Sequence, residues 1–166
     1  MLADAGEVLA CLDTRLTVPL AREAIGAGII PGLREHSVVR AEYPCRDSRI
    51  DLLLEGPDGG VCLLEVKSCT LVTDGVALFP DAPTDRGRRH LRDLAAAAGE
   101  GMRAAVLFVI QWPDGRVLAP HEARDPHFGA ALRDPVAAGV EICASGCRVS
   151  REGIRADRQV PVRPGA

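Results

Sequence analysis

The stretch RAAVLFVIQ, residues 103–111, constrains the fold of this chain more than any other segment. After Arg103 it is nearly continuously apolar, and its length is that of one β-strand. An apolar run of this kind is typical of a strand that is covered on both faces of its sheet. The run therefore predicts a central strand with other layers packed on both sides.

The segments before this strand predict one helix followed by three strands. In TVPLAREAIGAG, Thr17 is a possible N-cap, Pro19 falls in the first turn, and glycine ends the helix. A turn at PDGG is predicted before the third strand. The three strands are predicted in SVVRAEY, SRIDLLLEG and VCLLEVKSC.

The segments after the third strand predict the rest of the fold. TDGVALFPDAP is predicted as a loop, and Thr84 as the N-cap of a helix in TDRGRRHLRDLAAAAGEG. Beyond the apolar run, a short helix around HFGAALRDPVAAG should break or end near Pro135, and VEICASGCRVS is the last predicted strand. The order predicts an α/β fold in which helices flank a mixed β-sheet.

Length and composition indicate one intracellular domain. The 166 residues fit a single domain, 1–166, with its core at about 17–150. The net charge of −3 argues against a protein that coats nucleic acid non-specifically. The acidic N-terminal segment and the lack of an apolar run of about 20 residues predict a cytoplasmic protein with no membrane partner. The six cysteines lack the spacing of a zinc site and are expected to be reduced thiols.

Lys67 is an outlier in this composition. It is the only lysine among 20 basic residues, and it stands inside the apolar strand sequence VCLLEVKSC. Arginine and lysine are exchangeable on a solvated face, but only lysine offers a compact ammonium of adjustable pKa. Lys67 is therefore a candidate catalytic residue.

Two carboxylates are predicted to converge with Lys67. Glu65 and Lys67 are two apart on one strand and share a face, and a hairpin at PDGG sets Asp51 of the preceding strand beside Glu65. Asp51 and Glu65 are hard oxygen ligands of the kind that hold Mg²⁺ or Mn²⁺, and the backbone carbonyl of Val66 is a further candidate ligand. Lys67 would then orient the attacking water, help to deprotonate it, or stabilise charge on a scissile phosphate.

A cross-strand ion pair is the alternative interpretation of this pattern. Charged residues spaced by two are common on half-exposed strands, and such pairs contribute little to stability. The neighbours of Glu65 and Lys67 are apolar, however, which predicts an interior strand. Buried charges are costly unless they are paired or bound to a metal. These considerations favour a catalytic site without removing the alternative.

Four segments resemble the sugar fermentation stimulation protein (SfsA) family over about residues 9–162. They are SRIDLLLEG, CLLEVKSCTLV, ALFPDAPTDRGRRHLRDL and AAAAGEGMRAAVLFVIQ. That family resembles the PD-(D/E)xK nucleases, so the resemblance implies a restriction-endonuclease-like mixed sheet with an αβββαβ core. It also implies metal ligands at Asp51 and Glu65 and a catalytic lysine at Lys67. Glu42 matches an additional acidic ligand of many such nucleases, with a solvated strand-end carboxylate as the alternative.

The second predicted helix is a candidate nucleic-acid contact. Arg86, Arg89 and His90 share one face of its first two turns, where the helix dipole favours an anion. A phosphate of the substrate backbone is the expected occupant, and Arg49 is a further candidate contact. A hydrogen-bonded structural histidine is the alternative for His90.

The resemblance implies a nuclease but leaves its substrate open. Relatives in this family carry an N-terminal OB-like domain, and this chain begins where that domain should end, so binding through phosphate contacts is expected. The alternatives are a natural minimal version or a start assigned too far downstream. The first functional hypothesis is a divalent-metal-dependent nuclease acting on DNA or RNA, with a homodimer as a candidate assembly. The others are a DNA-binding regulator of sugar metabolism and a metal-binding domain without either activity.

Overall fold

A computed structural model of the chain describes residues 2–4 and 9–163. Residues 1, 5–8 and 164–166 of the predicted domain lie outside this description. The three described α-helices are α1 (Thr17–Gly26), α2 (Asp85–Gly99) and α3 (Pro126–Ala137). The described strands are β1 (Leu2–Asp4), β2 (Leu9–Cys11), β3 (Ser37–Cys45), β4 (Ser48–Glu55), β5 (Val61–Cys69), β6 (Val72–Thr73), β7 (Val76–Phe79), β8 (Arg103–Ile110), β9 (Val117–Pro120), β10 (Glu141–Ser150) and β11 (Gly153–Gln159).

The main sheet has six strands in the order β11-β10-β8-β5-β4-β3. Strand β8 runs parallel to both of its neighbours, β5 and β10, and the outer pairs are antiparallel. All residues of β8 after Arg103 are buried. The predicted mixed sheet, with the apolar run as a central strand, is confirmed. Two smaller sheets, β1-β2 and β6-β7-β9, lie outside it.

Helices cover both faces of this sheet, and each face has its own apolar core. Residues of α1 pack with one set of sheet residues, including Leu64 and Leu107. Residues of α2 and α3 pack with the alternate set, including Leu63 and Phe108. Side chains that alternate along β5 therefore point into two cores, and this explains why that strand is apolar at both odd and even positions.

The predicted core order of helix, three strands, helix and strand is observed, but three local details differ. The segment predicted as a loop contains the β6–β7 hairpin, and the predicted last strand is followed by β11. Thr17 is the first helical residue and not the cap, and its hydroxyl donates to the Thr14 carbonyl at 2.6 Å, whereas a capping hydroxyl accepts from a helix N–H. Pro135 lies inside α3, and the helix ends two residues later, near the predicted position. No helix in the described part of the chain is long and apolar enough to cross a membrane.

The start of α2 is fixed by two caps. Thr84 accepts a hydrogen bond from the Gly87 N–H at 2.9 Å, as its sequence position predicts. Asp125, which caps α3, is only 2% exposed and also accepts from the Thr84 N–H at 3.3 Å and from Arg88 Nη1 at 2.6 Å. Asp125 thereby joins the N-termini of α2 and α3 at the end of α2 that carries Arg86 and His90.

Candidate active site

The candidate site lies where the ladder between β4 and β5 ends. The two strands pair in register from Glu55 opposite Val61 to Leu52 opposite Leu64. Asp51 and Glu65 come next in this register. The Val66 N–H donates to Asp51 Oδ2 at 2.7 Å, so a side-chain carboxylate replaces a backbone partner there. The structure therefore brings Asp51 beside the Glu65 strand, as the hairpin predicted.

Glu65 is the most enclosed charged group of the site. It is 2% exposed, and its Oε1 lies 2.5 Å from Lys67 Nζ and 2.5 Å from His90 Nδ1. Its other oxygen, Oε2, is buried and has no hydrogen-bond partner among the described residues. A buried carboxylate oxygen without a donor costs free energy and calls for an explanation.

The two carboxyl groups have pKa values shifted in opposite directions. Burial and the charge of Glu65 raise the pKa of Asp51 to about 6, against the lowering effects of the Val66 N–H and Lys67. Burial would likewise raise the pKa of Glu65, but the hydrogen bond from His90 and the charge of Lys67 outweigh it and lower that pKa. The Glu65 carboxylate is thus ionised at neutral pH, while the Asp51 carboxylate is ionised at a free-energy cost.

Glu42 lies near Asp51 on the edge strand β3. Ala41 is opposite Leu52 and Tyr43 is opposite Ile50, so Glu42 falls opposite Asp51. Its charge is the weakest of the influences that raise the Asp51 pKa. Glu42 is exposed, and its φ of 52° lies in the left-handed region, which is uncommon for a residue other than glycine. It therefore borders the site on the Asp51 side.

The predicted nucleic-acid contacts divide between the cluster and the surface. His90 is 3% exposed and binds Glu65, so the structure places it inside the carboxylate cluster and not on a face open to phosphate. The alternative of a hydrogen-bonded histidine is therefore the one that fits its position. Arg86 is exposed, and its Nε donates to His90 Nε2 at 3.4 Å. Arg89 and Arg49 are exposed.

A comparison with protein-family models matches residues 15–153 to the family described as "Sugar fermentation stimulation protein RE domain". This chain belongs to the SfsA family. Two proteins named "Sugar fermentation stimulation protein homolog" illustrate the similarity. That of Citrifermentans bemidjiense is 47% identical over 152 residues, which are 91% of this chain and 65% of the relative. That of Desulforamulus reducens is 40% identical over 162 residues, which are 98% of this chain and 67% of the relative.

A solved SfsA structure has the same fold. It is "The structure of Pyrococcus Furiosus SfsA in complex with Ca2+", with a TM-score of 0.88 and 30% sequence identity, over 94% of this chain and 68% of that one. The resemblance predicted from the sequence is confirmed. The chain spans about 65% of the length of the first SfsA relatives it matches. The names of these relatives refer to sugar fermentation and state no reaction.

The donor set of this SfsA domain suits a hard divalent cation bound with few protein ligands. Among the described residues, no group of three or more His, Cys, Asp and Glu side chains forms a metal cage. Mg²⁺ is usually held by one or two carboxylates and keeps several waters or substrate oxygens. Asp51 and the unpartnered Oε2 of Glu65 supply such a pair. The N–H and C=O of one strand residue point to the same side, so the Val66 carbonyl also faces the Asp51 side.

Sequence reasoning missed a buried amide, Gln111, beside the site. Gln111 is fully buried, and its Oε1 accepts from Ser68 at 2.7 Å and from Thr17 at 3.1 Å. Its Nε2 donates to the Asp13 carbonyl at 3.0 Å. Gln111 therefore joins the residue after Lys67 to the start of α1. The available signal was a polar residue directly after the apolar run, at the end of a central strand.

Proposed function

We propose that this domain hydrolyses phosphodiester bonds of nucleic acid with the help of a divalent cation, Mg²⁺ or Mn²⁺. The observation that carries the proposal is the Glu65 carboxylate, which is buried beside Asp51 with one oxygen held by Lys67 and His90 and the other unpartnered. A purely structural ion pair would leave no oxygen in this state. The calcium complex of the Pyrococcus furiosus relative supports a divalent cation in this family.

Asp51 and Glu65 would hold the cation between them. Glu65 would bind through Oε2, since Oε1 already has two donors, and Asp51 through the oxygen that does not accept from Val66. The Val66 carbonyl and Glu42 are the further candidate ligands. A bound cation supplies positive charge against the scissile phosphate. It would also offset the carboxylate charge that raises the Asp51 pKa.

Lys67 has the position of a group that stabilises the negative charge developing on the phosphate in the transition state. Its side chain is 14% exposed, so the ammonium lies at the boundary between the Glu65 carboxylate and solvent. An ammonium there can orient the attacking water or donate to a phosphate oxygen, and both effects grow in a site that excludes solvent. Arginine would be larger, and its guanidinium would not release a proton.

The exposed arginines of α2 are the proposed contacts with the nucleic-acid backbone. Arg86 adjoins the site through His90, and Arg89 lies one turn further along the helix. Arg89 and Arg92 line a groove of about 400 Å³ between α2 and α3. Arg49 lies on β4, two residues before Asp51. Phosphate contacts of this kind supply affinity without selecting a base sequence, so the proposal covers both DNA and RNA.

A DNA-binding regulator of sugar metabolism is the second candidate, favoured by the names of the relatives. Nucleic-acid binding by the arginines would serve it equally. The cluster of Asp51, Glu65 and Lys67 would not, because carboxylates repel phosphate unless a cation lies between them. Cleavage is therefore the property that separates the two candidates.

The test is cleavage of end-labelled single-stranded and double-stranded DNA and RNA, with Mg²⁺, with Mn²⁺ and with chelator. We expect cation-dependent cleavage that falls by about 100-fold or more in Lys67→Ala, since removing one donor to transition-state charge typically has this effect. Lys67→Arg is the matched variant, because it keeps the positive charge. We expect its cleavage to be impaired as well, since charge alone does not replace the compact ammonium. Metal affinity of both variants should stay near that of the wild type. Undiminished cleavage by Lys67→Ala would return the lysine to a structural role.

A further inference from the structure

We propose that His90 is a positioning residue that fixes the Glu65 carboxylate so that Oε2 faces the cation. The inference rests on the proposed function and adds to it a residue outside the pattern of two carboxylates and a lysine. It assigns to the first two turns of α2 a part in cation binding as well as in substrate contact.

Two donors on one oxygen restrict the rotation of the Glu65 carboxylate. Lys67 reaches Oε1 along the same strand, whereas His90 reaches it from α2 across the core. A carboxylate held by Lys67 alone can turn about its terminal torsion, because glutamate has a broad minimum there and the lysine chain is flexible. The rigid imidazole removes that freedom. The unpartnered state of the buried Oε2 follows from this fixed orientation.

Arg86 determines which nitrogen of His90 carries the proton. Its guanidinium is always protonated and has no acceptor, so the contact from Arg86 Nε to His90 Nε2 makes Nε2 the acceptor. The ring proton of the neutral imidazole then lies on Nδ1, and Nδ1 donates to Glu65 Oε1. Two hydrogen bonds thus link the surface to the proposed cation ligand: Arg86 donates to His90, and His90 donates to Glu65.

Partners of this type have measurable effects on ligands. Groups that hydrogen-bond a metal ligand fix its orientation, and their loss typically lowers metal affinity by 10- to 100-fold. His90 also shares Oε1 with Lys67, so the ammonium is not the only donor to this oxygen. Loss of His90 should therefore weaken cation binding and leave Lys67 as the one donor to Oε1 among the described residues.

The test is calorimetric titration of the full chain with Ca²⁺ and with Mn²⁺, without nucleic acid. We expect His90→Leu to raise the Kd by about 10- to 100-fold. We expect His90→Asn to stay within a few-fold of the wild type, because its amide nitrogen takes the place of Nδ1. In His90→Gln the amide takes the place of Nε2, so we expect this variant to lose affinity as His90→Leu does. Should His90→Leu fail to fold, His90→Gln carries the same comparison.

The outcomes separate this inference from the proposed function. Equal Kd values for wild type and His90→Leu, or for His90→Asn and His90→Gln, would overturn the positioning role and leave the metal-dependent reaction standing. A wild type that binds neither cation would overturn both. Recovery of affinity in His90→Asn alone supports the inference, since loss of packing would weaken all three variants to a similar degree.

Discussion

Replacing Asp51 with asparagine should stabilise the metal-free protein at alkaline pH while weakening cation binding. The asparagine side chain keeps an oxygen that can accept from the Val66 N–H, which Asp51 now binds at 2.7 Å. It removes the negative charge that burial and Glu65 disfavour. A substitution that harms the proposed reaction is thus expected to strengthen the fold.

The size of this effect follows from the Asp51 pKa. The pKa rises from 3.8 to about 6 in the folded protein. A shift of about 2 units corresponds to about 3 kcal/mol at most, at about 1.4 kcal/mol per unit. Asp51 is partly exposed, and solvent screening reduces this figure. We therefore expect a gain of about 1 to 2 kcal/mol in the free energy of unfolding at pH 8.

The gain should depend on pH with a defined sign. Between the unfolded pKa of 3.8 and the folded pKa of about 6, the folded state binds more protons than the unfolded chain. Stability of the wild type therefore falls as the pH rises through this window, and the full penalty is present above it. Near pH 4 most of the penalty is absent, so the variant and the wild type should have similar stability there.

Urea unfolding in the presence of chelator, at pH 4 and pH 8, measures this difference. Asp114→Asn is a matched control, because Asp114 is an exposed aspartate in the turn after β8 and should give no gain at either pH. Equal stability of Asp51→Asn and wild type at pH 8 would refute the reasoning. A gain of the same size at both pH values would show that the effect does not come from ionisation.

Two further predictions concern α2. Substituting both Arg86 and Arg89 with alanine should weaken nucleic-acid binding. The slope of log binding constant against log salt concentration should fall in magnitude by about 1.5 to 2, as expected for two lost phosphate contacts. An unchanged slope in binding titrations would show that neither arginine contacts phosphate. Asp125→Ala should lower the free energy of unfolding by about 2 to 4 kcal/mol, because it removes a cap and the buried partner of Arg88. The control is Asp85→Ala, which removes the 98% exposed partner of the same arginine and should lower the free energy of unfolding by about 0.5 kcal/mol or less, as measured by urea unfolding. Equal losses in the two variants would contradict a stabilising role for the buried Asp125.

The strands that carry the site could be predicted because local and global signals agree there. Strand β5 has the predicted bounds, set by the PDGG turn before it and by apolar residues that fill two cores. Strand β11 was missed because it lies at an edge and only Ile154 and Ala156 supply apolar contact. The β6–β7 hairpin had a local sequence signal in the pair Asp74-Gly75, because Asp-Gly is preferred in type I′ turns. Both residues have the positive φ that this turn requires.

The composition of the site could be predicted better than its contacts. Strand register follows from a hairpin, so the positions of Asp51 and Glu65 were accessible from the sequence. Helical spacing placed Arg86 and His90 on one face, but it does not fix the rotation of α2 against the sheet. That rotation depends on which residues of α2 are buried against the rest of the fold, and His90 is among them with Leu91 and Leu94. His90 consequently binds Glu65 and not an external phosphate.

The charges of the site link its cost in stability to its proposed use. Asp51 and Glu65 carry two negative charges and Lys67 one positive charge, so a deficit of positive charge adds to the burial that raises the Asp51 pKa. A divalent cation would remove that deficit, and a cation present at 100 times its Kd stabilises the folded state by about 2.7 kcal/mol. This exceeds the gain of about 1 to 2 kcal/mol expected for metal-free Asp51→Asn. At a Mg²⁺ concentration that saturates the wild type and leaves the variant largely unbound, the wild type should therefore become the more stable protein, and the order of the two stabilities should reverse. Asp51 would then be costly only until the cation is bound.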